Sequence, residues 1–422
     1  MTPAMRFIHC ADIHLDSPLV GLSGRSREMG DLVRDATRRA LGRLVDLAIA
    51  QGVDFVVVAG DLYDGDWRDF ATGMAFVREA GRLHQAGIPL FLALGNHDAQ
   101  NRMTAALPLP PNVQVFSSRS PETRAIDTLQ VALHGWSYRE AAVTHNPLPL
   151  FPDPRPGWFN IGVLHTAADG RGEGHAPYAP CHPDQLAAKG YDYWALGHVH
   201  QRQALRESPP IHYSGNLQGR HARESGAKGF NLVEVTGGRV TVTFVAADVV
   251  RWRILEVDVT GAPDREAALA RVSAALRTAL EEADERVLCL RLVLAGRCRA
   301  HRMLLADPRE LAAECQALGL ALGERLWVEK VLVRTDPEHD LVLALEREDM
   351  AGELLRLVNR LADDPETHRL LAEELAPLGA RLPAEARAGW EEGNRPGAAL
   401  LEDVLAESRA LVAHRLLDRE DG

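Results

Sequence analysis

Seven side chains in this sequence are of the kinds that bind divalent metals, and each lies just behind a short apolar run. Phe7-Ile8-His9-Cys10-Ala11 leads to Asp12-Ile13-His14, and Phe55-Val56-Val57-Val58-Ala59 leads to Gly60-Asp61. Pro89-Leu90-Phe91-Leu92-Ala93-Leu94 leads to Gly95-Asn96-His97-Asp98. Ile161-Gly162-Val163-Leu164 leads to His165, and Tyr193-Trp194-Ala195-Leu196-Gly197 leads to His198-Val199-His200. Residues two apart on an extended segment project to the same side, so Asp12 pairs with His14 and His198 with His200. Two-metal hydrolysis needs two neighbouring ions, a bridging oxygen ligand and open positions for water and phosphate. The spacing points to such a site with Asp61 as the bridge. Imidazole, carboxylate and amide together suit Mn²⁺, Fe²⁺ or Zn²⁺, whereas Mg²⁺ and Ca²⁺ more often take oxygen alone. His97 follows the ligand Asn96 and is free to donate a proton, with Asp98 expected to orient its ring. One Asp-x-His by itself would read as surface or capping residues, but five such elements in order, each after a strand, argue against that reading.

The elements that position these residues follow from pattern. Runs of buried-type residues ending in Gly read as covered parallel strands, and open α/β sheets bind ligands at the C-terminal edge of such strands. Apolar residues at helical spacing predict helices over Asp31–Ala50 and Phe70–Gln85. Shorter strands are expected at Val113–Phe116 and Val131–His134, followed by a proline-rich surface loop at 145–157. Strands near Ile211–Tyr213, Phe230–Val235 and Val240–Val245 read as a second sheet packed on the first. The pattern restarts at Trp252 with strand Ile254–Val259, helix Arg265–Ala283, strand Val287–Leu294, helix Pro308–Leu318 and strand Trp327–Arg334. The rest is helical and rich in Leu, Ala, Glu and Arg. Leu401, Val404, Leu405, Leu411, Val412 and Leu416 form an apolar stripe there, suited either to the chain's own core or to a partner's groove. The expected organisation is three parts: 1–250, 251–338 and 339–422.

Length and composition fit a soluble multidomain protein: 422 residues, 46% hydrophobic and 25% charged. No apolar run approaches a membrane span, and the N-terminus enters the first strand without a signal-peptide pattern. Five cysteines without a CxxC pair read as reduced thiols in a cytosolic protein. The net charge of -12 argues against a simple basic nucleic-acid binder. Most of it falls on residues 251–422, with 24 Lys+Arg against 34 Asp+Glu, so divalent ions could make the first part attractive to phosphate. No G-x-x-x-x-G-K-[ST] occurs, which leaves the chain without a P-loop for ATP. His134, His175, His212 and His221 are candidates for positions near the site or facing substrate, against the plainer reading of ordinary histidines.

Asp12-x-His14, Gly60-Asp61-x-x-Asp64, Gly95-Asn96-His97-Asp98, His165 and Gly197-His198-x-His200 together resemble the calcineurin-like metallophosphoesterase signature. Longer strings, Phe7 to Leu19, His175 to Cys181, Gly190 to His200 and Gly215 to His221, resemble the SbcD-type DNA repair nucleases, particularly the bacterial YhaO group. The resemblance covers about residues 6–250. It implies an α/β fold: a two-sheet α-β-β-α sandwich with a small α+β capping domain and a helical C-terminal tail. It implies two divalent ions, most often Mn²⁺, one held by Asp12, His14, Asp61 and His200, the other by Asp61, Asn96, His165 and His198. His97 becomes the proton donor or transition-state stabiliser. Arg202, Arg220, Arg223 and Lys228 are then candidates for backbone-phosphate contacts. The implied activity is metal-dependent DNA exonuclease or endonuclease action in repair. The implied partners are DNA and a coiled-coil ATPase of the SbcC/YhaN kind held by the C-terminal helices, with a homodimer left open. Rival readings are a phosphodiesterase acting on nucleotides and a DNA-end tether with little activity. Asp64 stands where relatives can carry a histidine tied to exonuclease action, which leaves the exo/endo balance open.

Overall fold

Apolar residues on both faces of a strand demand cover on both sides, and that requirement shapes the first two hundred and fifty residues. The computed structural model describes residues 4–379 except 18, 20–26, 66–69, 101–107, 141, 169–177, 339–344 and 347, together with 405 and 408. It forms two compact units: Met1–Leu255 with Leu276–Leu292 and Gln316–Lys330, and Glu256–Ala275 with Val293–Cys315 and Val331–Gly422.

The first unit runs β1 (Met5–Cys10), α1 (Arg27–Gln51), β2 (Phe55–Ala59), α2 (Phe70–Gln85), β3 (Leu90–Ala93) and β4 (Val113–Val115). It continues with β5 (Glu122–Ile126), β6 (Val131–Gly135), β7 (Phe159–His165), α3 (Pro183–Ala188), β8 (Tyr193–Gly197), β9 (Gln203–Glu207) and β10 (Pro210–Tyr213). Two further strands, β11 (Gly229–Thr236) and β12 (Arg239–Ala246), end this run. One six-stranded sheet has the order β12-β11-β1-β2-β3-β4 and the other β5-β6-β7-β8-β10-β9. The parallel pairs β1–β2, β2–β3, β6–β7 and β7–β8 are joined through helices or long crossovers.

Here the structure corrects one expectation. Of the three strands assigned to the second sheet, only β10 belongs to it. β11 returns to pair antiparallel with β1, from Met5↔Val235 to His9↔Asn231, and β12 covers β11 as the edge. The β11–β12 connection is a tight Gly237-Gly238 hairpin with both residues at positive φ, so the two strands had to travel together.

Odd-numbered residues of β1 and β2 face the other sheet, where Phe7, Phe55, Phe91, Val131, Ile161 and Tyr193 form a dry core. Phe7 and Phe55 stack at 4.8 Å within it. Even-numbered Ile8, Val56 and Val58 face outward against Leu41, Leu44 and Val45 of α1 and Phe76 and Leu83 of α2. On the far side of the second sheet Trp194 and Leu196 of β8 pack beneath Leu186 of α3, Phe151 and Tyr191. Each such burial contributes roughly 1.5–3 kcal/mol. The result is four layers, α-β-β-α, as the resemblance implied.

β13 (Val250–Asp258), α4 (Arg265–Glu281), β14 (Val287–Cys298), α5 (His301–Ala306), α6 (Pro308–Leu322) and β15 (Leu326–Pro337) follow, with a sheet order β13-β14-β15. In the second unit Arg265 ties α4 to α6 through Glu310 and Glu314, at 2.9 and 2.8 Å. α7 (Met350–Asp363) starts on an Asp349 cap, whose carboxylate accepts from the Gly352 N–H at 2.8 Å, and α8 (Pro365–Gly379) follows a proline break. The stripe over 401–416 lies outside the described residues apart from Leu405, which is buried. Among the described residues no helix is long and apolar enough to cross a membrane, and all five cysteines are buried and none forms a disulfide.

Candidate metal centre

The loops behind β1 and β2 run side by side. Asp12 N–H donates to Gly60 O at 3.0 Å, His14 N–H to Asp61 O at 3.1 Å and Leu15 N–H to Leu62 O at 2.9 Å. Asp12, His14, Asp61 and His198 have φ of 50°, 44°, 50° and 100°, in the left-handed region that side-chain-bearing residues seldom adopt. Strain of this kind costs about 1–3 kcal/mol per residue and collects at functional sites. Two glycines make the convergence possible. A Cβ on Gly60 would run into the His165 ring, and one on Gly95 into the Asp61 carboxylate.

All seven expected ligands are buried, and they meet at this edge. Asp12, His14 and His200 form one group whose ligand atoms lie within 4.8 Å of one another, and Asp12, Asp61 and His165 form a second. Asp61 Oδ2 is 3.3 Å from His165 Nε2 and 3.8 Å from His14 Nε2, between the two sides. Its other oxygen accepts the His97 N–H at 3.0 Å. Asn96 Oδ1 is 3.0 Å from His165 Nε2. The His198 ring stands 5.1 Å from that of His165, and its backbone N–H donates to the Asp12 carboxylate at 3.0 Å.

The protonation pattern tests whether a cation fits. A neutral imidazole donates through only one ring nitrogen. His165 Nδ1 faces Ala59 O at 3.0 Å, so Nε2 turns a lone pair toward Asn96 Oδ1 and Asp61 Oδ2. His14 Nδ1 lies 3.2 Å from Asp64 Oδ1 and His200 Nδ1 lies 2.7 Å from Glu224 Oε1. Their two Nε2 atoms face each other at 3.1 Å, and in the tautomers whose Nδ1 protons turn to the carboxylates both present lone pairs there. Electron pairs converging on one point form a donor set for a cation, and imidazole with carboxylate and amide suits transition metals. The electrostatics favour positive charge at this point: burial works against a charged His165 ring, yet the adjacent Asp61 carboxylate carries its pKa up to about 9, so at neutral pH Nε2 holds a proton that a metal ion would displace. Burial pushes the Asp61 carboxyl up, but His165 and His14 outweigh it and hold the group well below the usual range. Asp12 is raised, by burial first and by Asp61 as well.

His97 is partly exposed, with Nδ1 3.4 Å from Asp64 Oδ1. This corrects the expected partner, because Asp98 does not face that ring. Asp98 is buried and accepts N–H bonds from Leu62, Tyr63 and Gly95 at 3.1, 2.8 and 2.9 Å, stitching the second ligand loop to the third. Burial and Asp61 raise its pKa to about 7.

The four expected phosphate contacts separate. Arg220 reaches the site, with Nη1 3.3 Å from Asp64 Oδ1. Arg223 is exposed on the next turn. Arg202 and Lys228 are engaged with the protein itself. Arg202 donates to Asn231 Oδ1 at 2.9 Å and lies over the Phe244 ring. Lys228 is buried, and its Nζ donates to His200 O at 2.8 Å, where an ammonium can be desolvated only against a carbonyl. His134 and His212 are interior residues, and His175 lies outside the described residues. His221 Nε2 is 3.7 Å from Glu224 Oε1. Sequence reasoning missed Glu224. Its only signal was a lone carboxylate in the basic stretch Arg220-His221-Ala222-Arg223-Glu224.

A profile of the calcineurin-like phosphoesterase family matches residues 5–202, and one described as the middle domain of metallophosphoesterase YhaO matches residues 252–336. A Bacillus subtilis protein named "Uncharacterized metallophosphoesterase YhaO" is 36% identical over 313 residues, 73% of this chain and 76% of that protein. The chain belongs to the calcineurin-like metallophosphoesterases. Other proteins are similar at lower identity. The DNA double-strand break repair protein Mre11 of Methanopyrus kandleri is 28% identical, over 61% of this chain and 60% of that protein. That of Sulfurisphaera tokodaii is 22% identical, over 72% and 77%. A solved dimetal phosphatase from Danio rerio superposes with a TM-score of 0.38 at 13% identity, covering 58% of this chain and 97% of that one. As a metallophosphoesterase the chain is a phosphoester hydrolase of a divalent-metal family, and its ligand-type side chains cluster where that chemistry needs them.

Proposed function

We propose that this metallophosphoesterase is a manganese-dependent DNA phosphodiesterase of the SbcD type, acting in repair in the cytoplasm with a coiled-coil ATPase. The observation that carries the two-metal part is the position of Asp61 Oδ2 between His165 and His14, at 3.3 and 3.8 Å. Relatives named as double-strand break repair proteins support DNA as the substrate. Five buried cysteines, none in a disulfide, suit a reducing compartment. Asp12, His14, Asp61 and His200 would hold one ion, and Asp61, Asn96, His165 and His198 the other. Bound there, divalent ions supply charge stabilisation at the phosphoryl oxygens and an acidified water as nucleophile.

The protein's own groups do the rest. His97, with Nδ1 turned to Asp64, has Nε2 left to give a proton to the leaving oxygen. Asp98 holds the Asp61 and Asn96 loops in register, so the bridge and the proton donor keep their spacing. Arg223 meets a backbone phosphate, a contact that positions without reading sequence.

The test is turnover of labelled linear, hairpin and single-stranded DNA with and without Mn²⁺, beside a nucleotide diester. Manganese-dependent DNA cleavage is expected. Hydrolysis of the nucleotide diester with no DNA cleavage would replace DNA by a nucleotide as substrate. Truncation after Pro396 should abolish co-purification with the ATPase while leaving cleavage of short DNA intact.

A further inference from the structure

Two of the clustered histidines are backed differently from a third. His14 Nδ1 lies 3.2 Å from the Asp64 carboxylate and His200 Nδ1 2.7 Å from Glu224. His165 Nδ1 instead meets a neutral carbonyl, Ala59 O, at 3.0 Å. The two carboxylates are themselves joined. Arg220 places Nη1 3.3 Å from Asp64 Oδ1 and Nη2 3.5 Å from Glu224 Oε1. Both ends are anchored again. Ser17 Oγ donates to Asp64 Oδ2 at 2.7 Å, and Glu224 Oε2 accepts the Arg220 N–H at 2.7 Å and Asn216 Nδ2 at 2.9 Å. Glu224 is 8% exposed, so this carboxylate is built into the fold.

We propose that Asp64, Arg220 and Glu224 form an outer clamp that makes the two metal positions unequal, with the ion on the His14–His200 side held more tightly. The inference rests on the two-metal reading above. A carboxylate behind an imidazole fixes its tautomer and makes the far nitrogen a stronger donor, and a carbonyl does this without adding charge. Among the described residues Arg220 spans both carboxylates. Its planar fork sets Nη1 against Asp64 and Nη2 beside both Glu224 Oε1 and His200 Nδ1, at 3.5 and 3.3 Å, a placement a lysine ammonium cannot copy. Arg220 is therefore a positioning residue for His14 and His200, drawn inward by charge. On the His165 ring the hydrogen-bonded backing is a neutral carbonyl, with the Asp12 carboxylate farther off at 4.0 Å, and this is the side that loads last and exchanges first.

The experiment is calorimetric titration of metal-free protein with Mn²⁺, with bound metal counted after dialysis. The wild-type protein should show two binding events at least about tenfold apart. Glu224→Gln keeps the size and an acceptor oxygen but not the charge, and should weaken the tighter event about 10–100-fold while sparing the weaker one. Arg220→Met should weaken the same event, and Arg220→Lys should restore it only in part. Asp61→Asn serves as the reference, since it should disturb both events. Two equal events in the wild-type protein, or unchanged isotherms for Glu224→Gln and Arg220→Met while Asp61→Asn loses metal, would overturn the clamp. Retention of both ions by Asp61→Asn would instead overturn the two-metal reading beneath it. Circular dichroism of each metal-free variant separates metal loss from unfolding. Should Glu224→Gln fail to fold, the two Arg220 variants decide the question.

Discussion

His9 and His134, in the interior of the first unit, are buried as deeply as His14 and His165 at its ligand edge, all between 0 and 1% exposed. In the interior both ring nitrogens end on neutral partners. His9 meets Tyr193 Oη at 2.9 Å and Leu196 O at 3.1 Å, which links one sheet to the other. His134 meets Thr123 Oγ1 at 2.8 Å and Asn160 Oδ1 at 3.0 Å, with its face stacked on Tyr191. At the edge one nitrogen is anchored and the other points at a further acceptor. Burial therefore says little about what a histidine does. The informative quantity is whether its second nitrogen finds a partner of complementary or of the same kind.

The sharpest way to break this contrast is Asp61→Asn. The amide cannot carry the charge that holds two cations together, so hydrolysis should fall to background with at least one ion lost, read by metal analysis and rate. Near-normal turnover with two ions would remove Asp61 as the bridge. His97→Gln should keep both ions and lower turnover by about 10²–10⁴. Loss of metal in that variant would make His97 a ligand.

The interior side gives a pH signature. Burial lowers the His9 pKa to about 3, so as pH falls below about 6.5 the unfolded chain takes the proton and the folded one does not. The stability this supports is complete above that pH and is lost as pH drops toward 3. Denaturant midpoints from pH 8 to 4 should show the slope, and His9→Gln should flatten it. An unaltered slope would place the acid sensitivity elsewhere. Asp98→Asn turns an NH₂ toward backbone donors and should cost about 1–3 kcal/mol in urea unfolding. The smallest effect belongs to Arg223→Ala, which should reduce the log–log salt slope of DNA binding by about one.

That these ligand-type side chains would meet was legible because each followed its own apolar run, and strand ends are where α/β folds put chemistry. The helices over Asp31–Ala50 and Phe70–Gln85 showed in their spacing, and the structure has Arg27–Gln51 and Phe70–Gln85. What stayed hidden was set by partners far apart in sequence. Lys228 looked like a surface cation until the fold put His200 O against it. Asp98 looked like the natural neighbour of His97, but a 3₁₀ turn from Asp98 to Gln100 swings its carboxylate back toward Leu62 and Tyr63. The Asp64–Arg220 contact spans 156 positions, and no local pattern encodes it. Membership of β11 in the first sheet was equally invisible, since an alternating strand fits either sheet.

That last pairing sets an order of events in synthesis. β1 leaves the ribosome long before β11, yet His9 pairs with Asn231, and every residue of the metal cluster emerges in between. At ordinary elongation rates β1 waits roughly 10–45 s with one edge unpaired. A nascent chain in that interval carries all its ligands and an open, apolar strand edge of the kind that joins other chains. The protein thus depends on chaperone cover or on speed until Thr236 has been made, and a fragment ending with the family-matched region at residue 202 would keep that edge open permanently.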